Sequence, residues 1–151
     1  MGTASDQPLL RRTLGRMDEA WEAFHASAHR HTVEQLDRPV AEGGWTRRQM
    51  LWHVATWHLL TTERLTRFRE TGVPGELAEE TDAINARASR GADGRTTGEI
   101  LFGIDDSFRR LRREVARLDD ERLAANDGWA AAVVAGNTFE HYEEHLADLG
   151  G

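Results

Sequence analysis

His141 and His145 sit four residues apart in the stretch Thr138-Phe139-Glu140-His141-Tyr142-Glu143-Glu144-His145-Leu146, near the end of a 151-residue chain. Residues at this spacing share one face of a helix, so two neutral imidazoles can grip a single metal ion without bending the backbone. At roughly 100° per residue, Val134 and Thr138 fall on the same line. That line borders an apolar face of Ala135, Phe139, Tyr142, Leu146 and Leu149, while Glu140, Glu143 and Glu144 are turned elsewhere. The pair is therefore expected at the rim of the core, where helices part. His25 and His29 have the same spacing, but His29 shares its face with Asp18 and Glu22 and reads as solvated. His31 reads as surface.

Two imidazoles need at least a third ligand. His53 and His58 are the only titratable groups between Gln49 and Thr62, a stretch without Asp, Glu, Lys or Arg. Leu51, Val54, Ala55, Leu59 and Leu65 cover one side of it, and Trp52, Trp57 and Leu60 another. A helix apolar nearly all round is a buried helix, and a histidine buried in it needs a partner. His53 becomes the third ligand if this helix neighbours the one carrying His141 and His145. A hydrogen-bonded core histidine would look the same in sequence. His58 is a rival, turned away from that face but still in the core. Three imidazoles leave a position open for water or substrate, the pattern of a reactive metal site rather than a structural one. Asn85, Asn137 and Asp148 are candidates for orienting the rings.

The elements that must position these side chains are all helical. Leu10, Leu14, Met17, Trp21, Phe24 and Ala28 recur in steps of four and three, one stripe of an amphipathic helix from Leu9 that fades between Arg30 and Leu36, with Pro39 ending any continuation. After a Gly43-Gly44 turn, Thr46 and Gln49 form a capping box, with Trp45 placed to staple against Met50. That helix runs to about Thr71, stopped by Gly72 and Pro74. A weaker helical segment spans Glu76 to Arg90 and closes at Gly91 and Gly94. Thr96 and Glu99 open another helix through Leu101, Ile104, Phe108, Leu111, Val115 and Leu118. Asp119 to Gly128 reads as a polar connection, and Trp129 opens a last helix to Leu149. The pattern predicts an all-α fold: one domain over 1–151, an up-down four-helix bundle with a short inserted helix.

Composition narrows the chemistry. A hydrophobic fraction of 39% with 30% charged residues suits a folded soluble domain. The net charge of −7 argues against nucleic acid, since phosphate binding needs a cationic face. Arg109, Arg110, Arg112 and Arg113 cluster, but Asp105, Asp106 and Glu114 beside them make a solvated helix face. The absence of cysteine excludes disulfides, thiolate nucleophiles and Cys-type zinc sites. All 19 basic residues are arginine, so a Schiff-base lysine is excluded too. Met1 to Pro8 is polar and no apolar run approaches the roughly 20 residues of a membrane span, so the cytoplasm is expected, with no membrane partner.

Three motifs in order resemble the DinB-like superfamily: Gly44-Trp45-Thr46 with Met50-Leu51-Trp52-His53-Val54-Ala55-Thr56-Trp57, then Asp82-Ala83-Ile84-Asn85-Ala86, then Asn137 through His145. This group includes the N-terminal domain of mycothiol-dependent maleylpyruvate isomerase and the bacillithiol transferases. The resemblance implies a four-helix bundle holding a divalent metal, zinc or nickel, through His53, His141 and His145. It implies an S-transferase or isomerase acting on a small electrophile, with mycothiol as thiol cosubstrate, in the service of detoxification. Trp57, Asn85 and Tyr142 are then the expected cofactor-binding wall of the cleft; no residue is assigned as catalytic. The maleylpyruvate isomerases carry a further C-terminal domain, whereas this sequence stops just after the metal-binding helix, which points away from that reaction itself. A second branch, the ClbS/DfsB-like proteins, is similar in its Asp-x-x-Asn and Thr-x-x-His-Tyr segments and implies small-molecule binding or self-resistance without obligatory metal. The expected partner is a small-molecule substrate, and a homodimer fits the superfamily.

Overall fold

The computed structural model describes residues 6–40 and 44–150. Its named elements are all helices: α1 (Pro8–His29), α2 (Val33–Leu36), α3 (Arg47–Thr71), α4 (Thr81–Asp93), α5 (Thr97–Ala116), α6 (Asp120–Asn137) and α7 (Phe139–Leu149). An isolated antiparallel bridge joins Pro39 to Thr46. Gly43, half of the expected turn, lies outside the described residues. α1, α3 and α5 pack with α6 and α7 around one apolar cluster that includes Met17, Phe24, Leu51, Val54, Phe68, Ile104, Leu111, Val134 and Tyr142.

The helix starts follow the local chemistry. Thr46 and Thr96 each accept the amide three residues on, and Gln49 and Glu99 return the bond, so two orphan donors are satisfied at each start. α3 ends at Gly72, whose φ of 73° is the left-handed conformation a side chain resists. α1 has no side-chain cap of its own. Instead Asp120 accepts the amides of Leu9 at 3.0 Å and Leu10 at 2.7 Å, and Gln7 accepts the Asp120 amide at 2.7 Å. A carboxylate from α6 thus caps α1, where the positive end of the helix dipole favours it.

Three boundaries differ from expectation. α4 begins at Thr81 rather than Glu76 and runs through Gly91 to Asp93. Asp119 to Gly128 is not a plain connection: Asp119 caps a helical turn that buries Leu123, and the chain then breaks at Asn126, Asp127 and Gly128, all at positive φ. These residue types tolerate the left-handed region best. Finally, the single last helix is two, separated at Thr138 (φ −125°, ψ −101°). The Thr138 hydroxyl donates to the Val134 carbonyl at 2.6 Å, a bond back along the helix that bends it.

α3 is buried along Met50, Leu51, His53, Val54, Ala55, Trp57, His58, Thr61, Leu65 and Phe68, as its composition predicted, although Leu59 on its outer side is exposed. Trp52 enters the gap between α4 and α5 because two glycines make room. A Cβ on Gly91 would stand 3.1 Å from the indole nitrogen, and one on Gly103 only 2.5 Å from the ring. Gly91 therefore serves packing rather than termination. Gly103→Ala is expected to destabilise the fold by about 1–3 kcal/mol, because a rigid indole cannot yield cheaply. Urea denaturation checks this; an unchanged midpoint would show that Trp52 is free to move.

Candidate metal centre

The break at Thr138 re-aims α7 so that its histidine face meets α3. His53 Nε2 lies 3.0 Å from His141 Nε2, and His145 Nε2 lies 3.0 Å from the same atom. All three donor atoms fall within 4.8 Å of one another. Hydrogen bonding does not account for this arrangement. An imidazole Nε2 carries either one proton or one lone pair, so His141 can satisfy one neighbour but not both. Donors sharing an ion at about 2.0–2.1 Å each are separated by about 3.0–3.4 Å, which is the spacing found here.

The surroundings keep the His53 and His141 rings neutral. His53 is lowered to about 4, chiefly by burial and then by His145; Asn85 works in the opposite direction, although no bond of ordinary geometry joins it to Nδ1. His141 is lowered to about 3 by burial, then by the charges His145, His53 and His58 would carry. Neutral imidazoles are the form a metal requires. On the far side of the cluster, His145 Nδ1 lies 3.0 Å from Asp148 Oδ2, the carboxylate–histidine arrangement that fixes the tautomer with Nε2 facing inward. Nδ1 of His53 and of His141 is buried without a partner.

The cluster opens into a cleft of about 330 Å³ lined by Trp45, His53, Trp57, Thr81, Asn85, Asn137, His141, Glu144 and His145. Trp57 and Asn85 stand in its wall, joined by a 2.8 Å bond from the indole N–H to the Asn85 side-chain oxygen. Asn85 is thus held against Trp57 while also bearing on His53, and Asn137 donates to the Val133 carbonyl of its own helix rather than to a ring. Tyr142 is elsewhere. It is 1% exposed, packs on Phe24 and Trp21, and bonds His58 at 2.6 Å. Its edge borders a different groove, with Arg16, Phe139 and Glu143. Glu144, expected to point away, reaches the cleft rim. Trp45 and Thr81 were not anticipated there. Trp45 precedes the α3 cap and lays its ring 4.8 Å from that of His53, so a tryptophan just before a capping box was the available signal.

His58, the rival ligand, is fully buried and belongs to a separate chain of hydrogen bonds. Ser107 donates to the Ile104 carbonyl, so its oxygen accepts from His58 Nδ1 at 2.8 Å; His58 Nε2 then accepts from the Tyr142 hydroxyl. Both ring nitrogens are satisfied and neither is free for a metal. His31 is half-buried, with Nδ1 2.7 Å from the Ser27 carbonyl. His29 is exposed, as its polar face predicted, but it and His25 are not alone: Asp105 of α5 lies against both.

Among the described residues no helix is long and apolar enough to cross a membrane. No curated protein and no solved structure matches the chain. The family profile described as the DinB superfamily matches residues 16–148, a span that runs from α1 through all three clustered histidines. Members of that superfamily often bind metal. With the ordered motifs, an all-helical fold and a match over most of its length, this chain belongs to the DinB superfamily.

Proposed function

We propose that the chain is a metal-dependent enzyme of low-molecular-weight thiol chemistry, an S-transferase or isomerase acting on a small electrophile with mycothiol as cosubstrate. The observation that carries this reading is the convergence of three Nε2 atoms at the floor of an open cleft. His53, His141 and His145 would hold the ion, zinc or nickel, with Asp148 orienting His145. When bound, such an ion supplies Lewis acidity that lowers the pKa of a coordinated thiol. The chain's own residues do the rest: Trp45 and Trp57 offer apolar walls that exclude water from one side, and Asn85 holds the Trp57 indole in place. The expected up-down four-helix topology belongs to the same reading, with α1, α3, α5 and the broken α6–α7 column as its members.

Cobalt(II)-loaded protein tests it. Titration with mycothiol or a simpler thiol is expected to give a sulfur-to-cobalt charge-transfer band that is lost in His141→Ala. Tryptophan quenching by ligands at full strength in the presence of chelator, with no such band, would reject the thiol reading in favour of a metal-independent small-molecule binder.

A further inference from the structure

The second histidine pair acquires in three dimensions what it lacks in sequence. His25 and His29, one turn apart on α1, place their rings 4.2 Å apart between centroids. Asp105, on α5, brings its Oδ2 to 3.0 Å from His29 Nε2 and 3.4 Å from His25 Nε2. The three donor atoms lie within 4.8 Å of one another. We propose that His25, His29 and Asp105 form a second transition-metal site, one that bridges α1 to α5 and is independent of the cluster on α3 and α7.

Three physical points support it. First, the separations of 3.0 and 3.4 Å match those of donors around one ion with bonds of about 2.0–2.2 Å. Second, Asp105 is only partly exposed, and its Oδ1 is buried with no hydrogen-bond partner among the described residues. The half-buried carboxylate is thus met only at Oδ2, where both imidazole nitrogens face it, and a cation bound there would offset its charge. Third, the rings are braced. Trp21 lies 5.7 Å from the His25 ring and stacks on Phe108 at 4.2 Å, tying the ligand-bearing turns of α1 and α5 to the same aromatic core. Two imidazoles and one carboxylate select zinc or another first-row transition ion over calcium or magnesium, which prefer all-oxygen sets.

The position says what such an ion does. His29 is exposed, and His25 and Asp105 are only partly buried, so the remaining coordination positions face solvent. Two ligands on one helix and one on its neighbour make the ion a clamp between α1 and α5. It therefore acts on stability rather than on a buried substrate.

The alternative is an ordinary pairing in which protonated His29 or His25 simply neutralises Asp105. Zinc titration followed by calorimetry separates the two, using His141→Ala, His29→Ala and the double variant. His141→Ala is expected to keep one bound equivalent and to melt at a higher temperature when zinc is added. The double variant is expected to bind at least about 100-fold more weakly at this site and to show no zinc-dependent rise. His29 is exposed, so its loss leaves the fold intact, and the zinc-free melting temperature verifies that. Asp105→Asn in the His141→Ala background should reproduce the loss. Zinc uptake that persists in the double variant, or no equivalent retained by His141→Ala, overturns the proposal. Because the comparison is made with the first cluster already dismantled, its outcome does not depend on what that cluster binds.

Discussion

Replacing His141 with alanine is expected to weaken metal binding at the α3–α7 cluster by about 100-fold or more, a larger effect than loss of any neighbour that merely orients a ring. His141 is the central donor. The 3.0 Å contacts of the cluster all meet at its Nε2, so its removal leaves His53 and His145 without the atom they share. Asp148→Asn should cost less, about 10- to 100-fold, because it loosens the tautomer of His145 without deleting a ligand. Competition against a chromophoric chelator measures both. The stability of the metal-free protein should change little on His141→Ala, since the substitution also removes a buried Nδ1 that has no partner. Retention of wild-type affinity by the variant would remove the site from consideration.

The second large effect is acid lability. His58 is completely buried, and burial lowers it from 6.5 to about 3. The unfolded chain takes up a proton at this position near pH 6.5, whereas the folded chain resists until far lower pH. Stability from this group is therefore complete above about pH 6.5 and drains as the pH falls toward 3. Linkage gives a loss of about 2 kcal/mol between about pH 7 and pH 5 from His58 alone, and of roughly 4–5 kcal/mol by pH 3. In metal-free protein His53 and His141 add to the loss in the same direction, because both are also lowered. Urea denaturation in the presence of chelator, repeated across this range with His58→Gln, isolates the first contribution. The stability difference between wild type and variant should shrink as the pH falls; a constant difference would mean that His58 titrates alike in the folded and unfolded chain. Tyr142, whose hydroxyl burial makes harder to ionise, remains the donor to His58 as long as the imidazole is neutral.

The histidine cluster was half legible because half of it is local. The spacing of His141 and His145 places both on one helix face whatever the rest of the chain does. The polar start signals were equally local, and the boxes at Thr46 and Thr96 formed as read. Less legible were features decided by what packs against them. Gly91 reads as a helix end, but it admits the Trp52 indole, and a glycine that makes room is indistinguishable in sequence from one that terminates. Tyr142 was expected in the cleft wall on the strength of the resemblance, yet adjacent residues on a helix point about 100° apart, and its own periodicity with Phe139 and Leu146 turned it to the core. The kink at Thr138 had a visible but weak signal in Gly136, Asn137 and Thr138, none of them a strong helix former.

By itself, then, the sequence determined the all-helical class, the pairing of histidines within a turn, the exclusion of cysteine and lysine chemistry, and a buried α3 carrying two histidines. Only the tertiary structure decided which of those two meets the pair on α7: His53, across 88 residues of chain, while His58 is taken by Ser107 and Tyr142. Only it brought Asp105 to His29 across 76 residues and so gave the dismissed pair a third donor. The physical reason is the same in both cases. Helix periodicity sets the direction of a side chain relative to its own axis, but which axis stands opposite depends on how apolar faces interlock across the whole core.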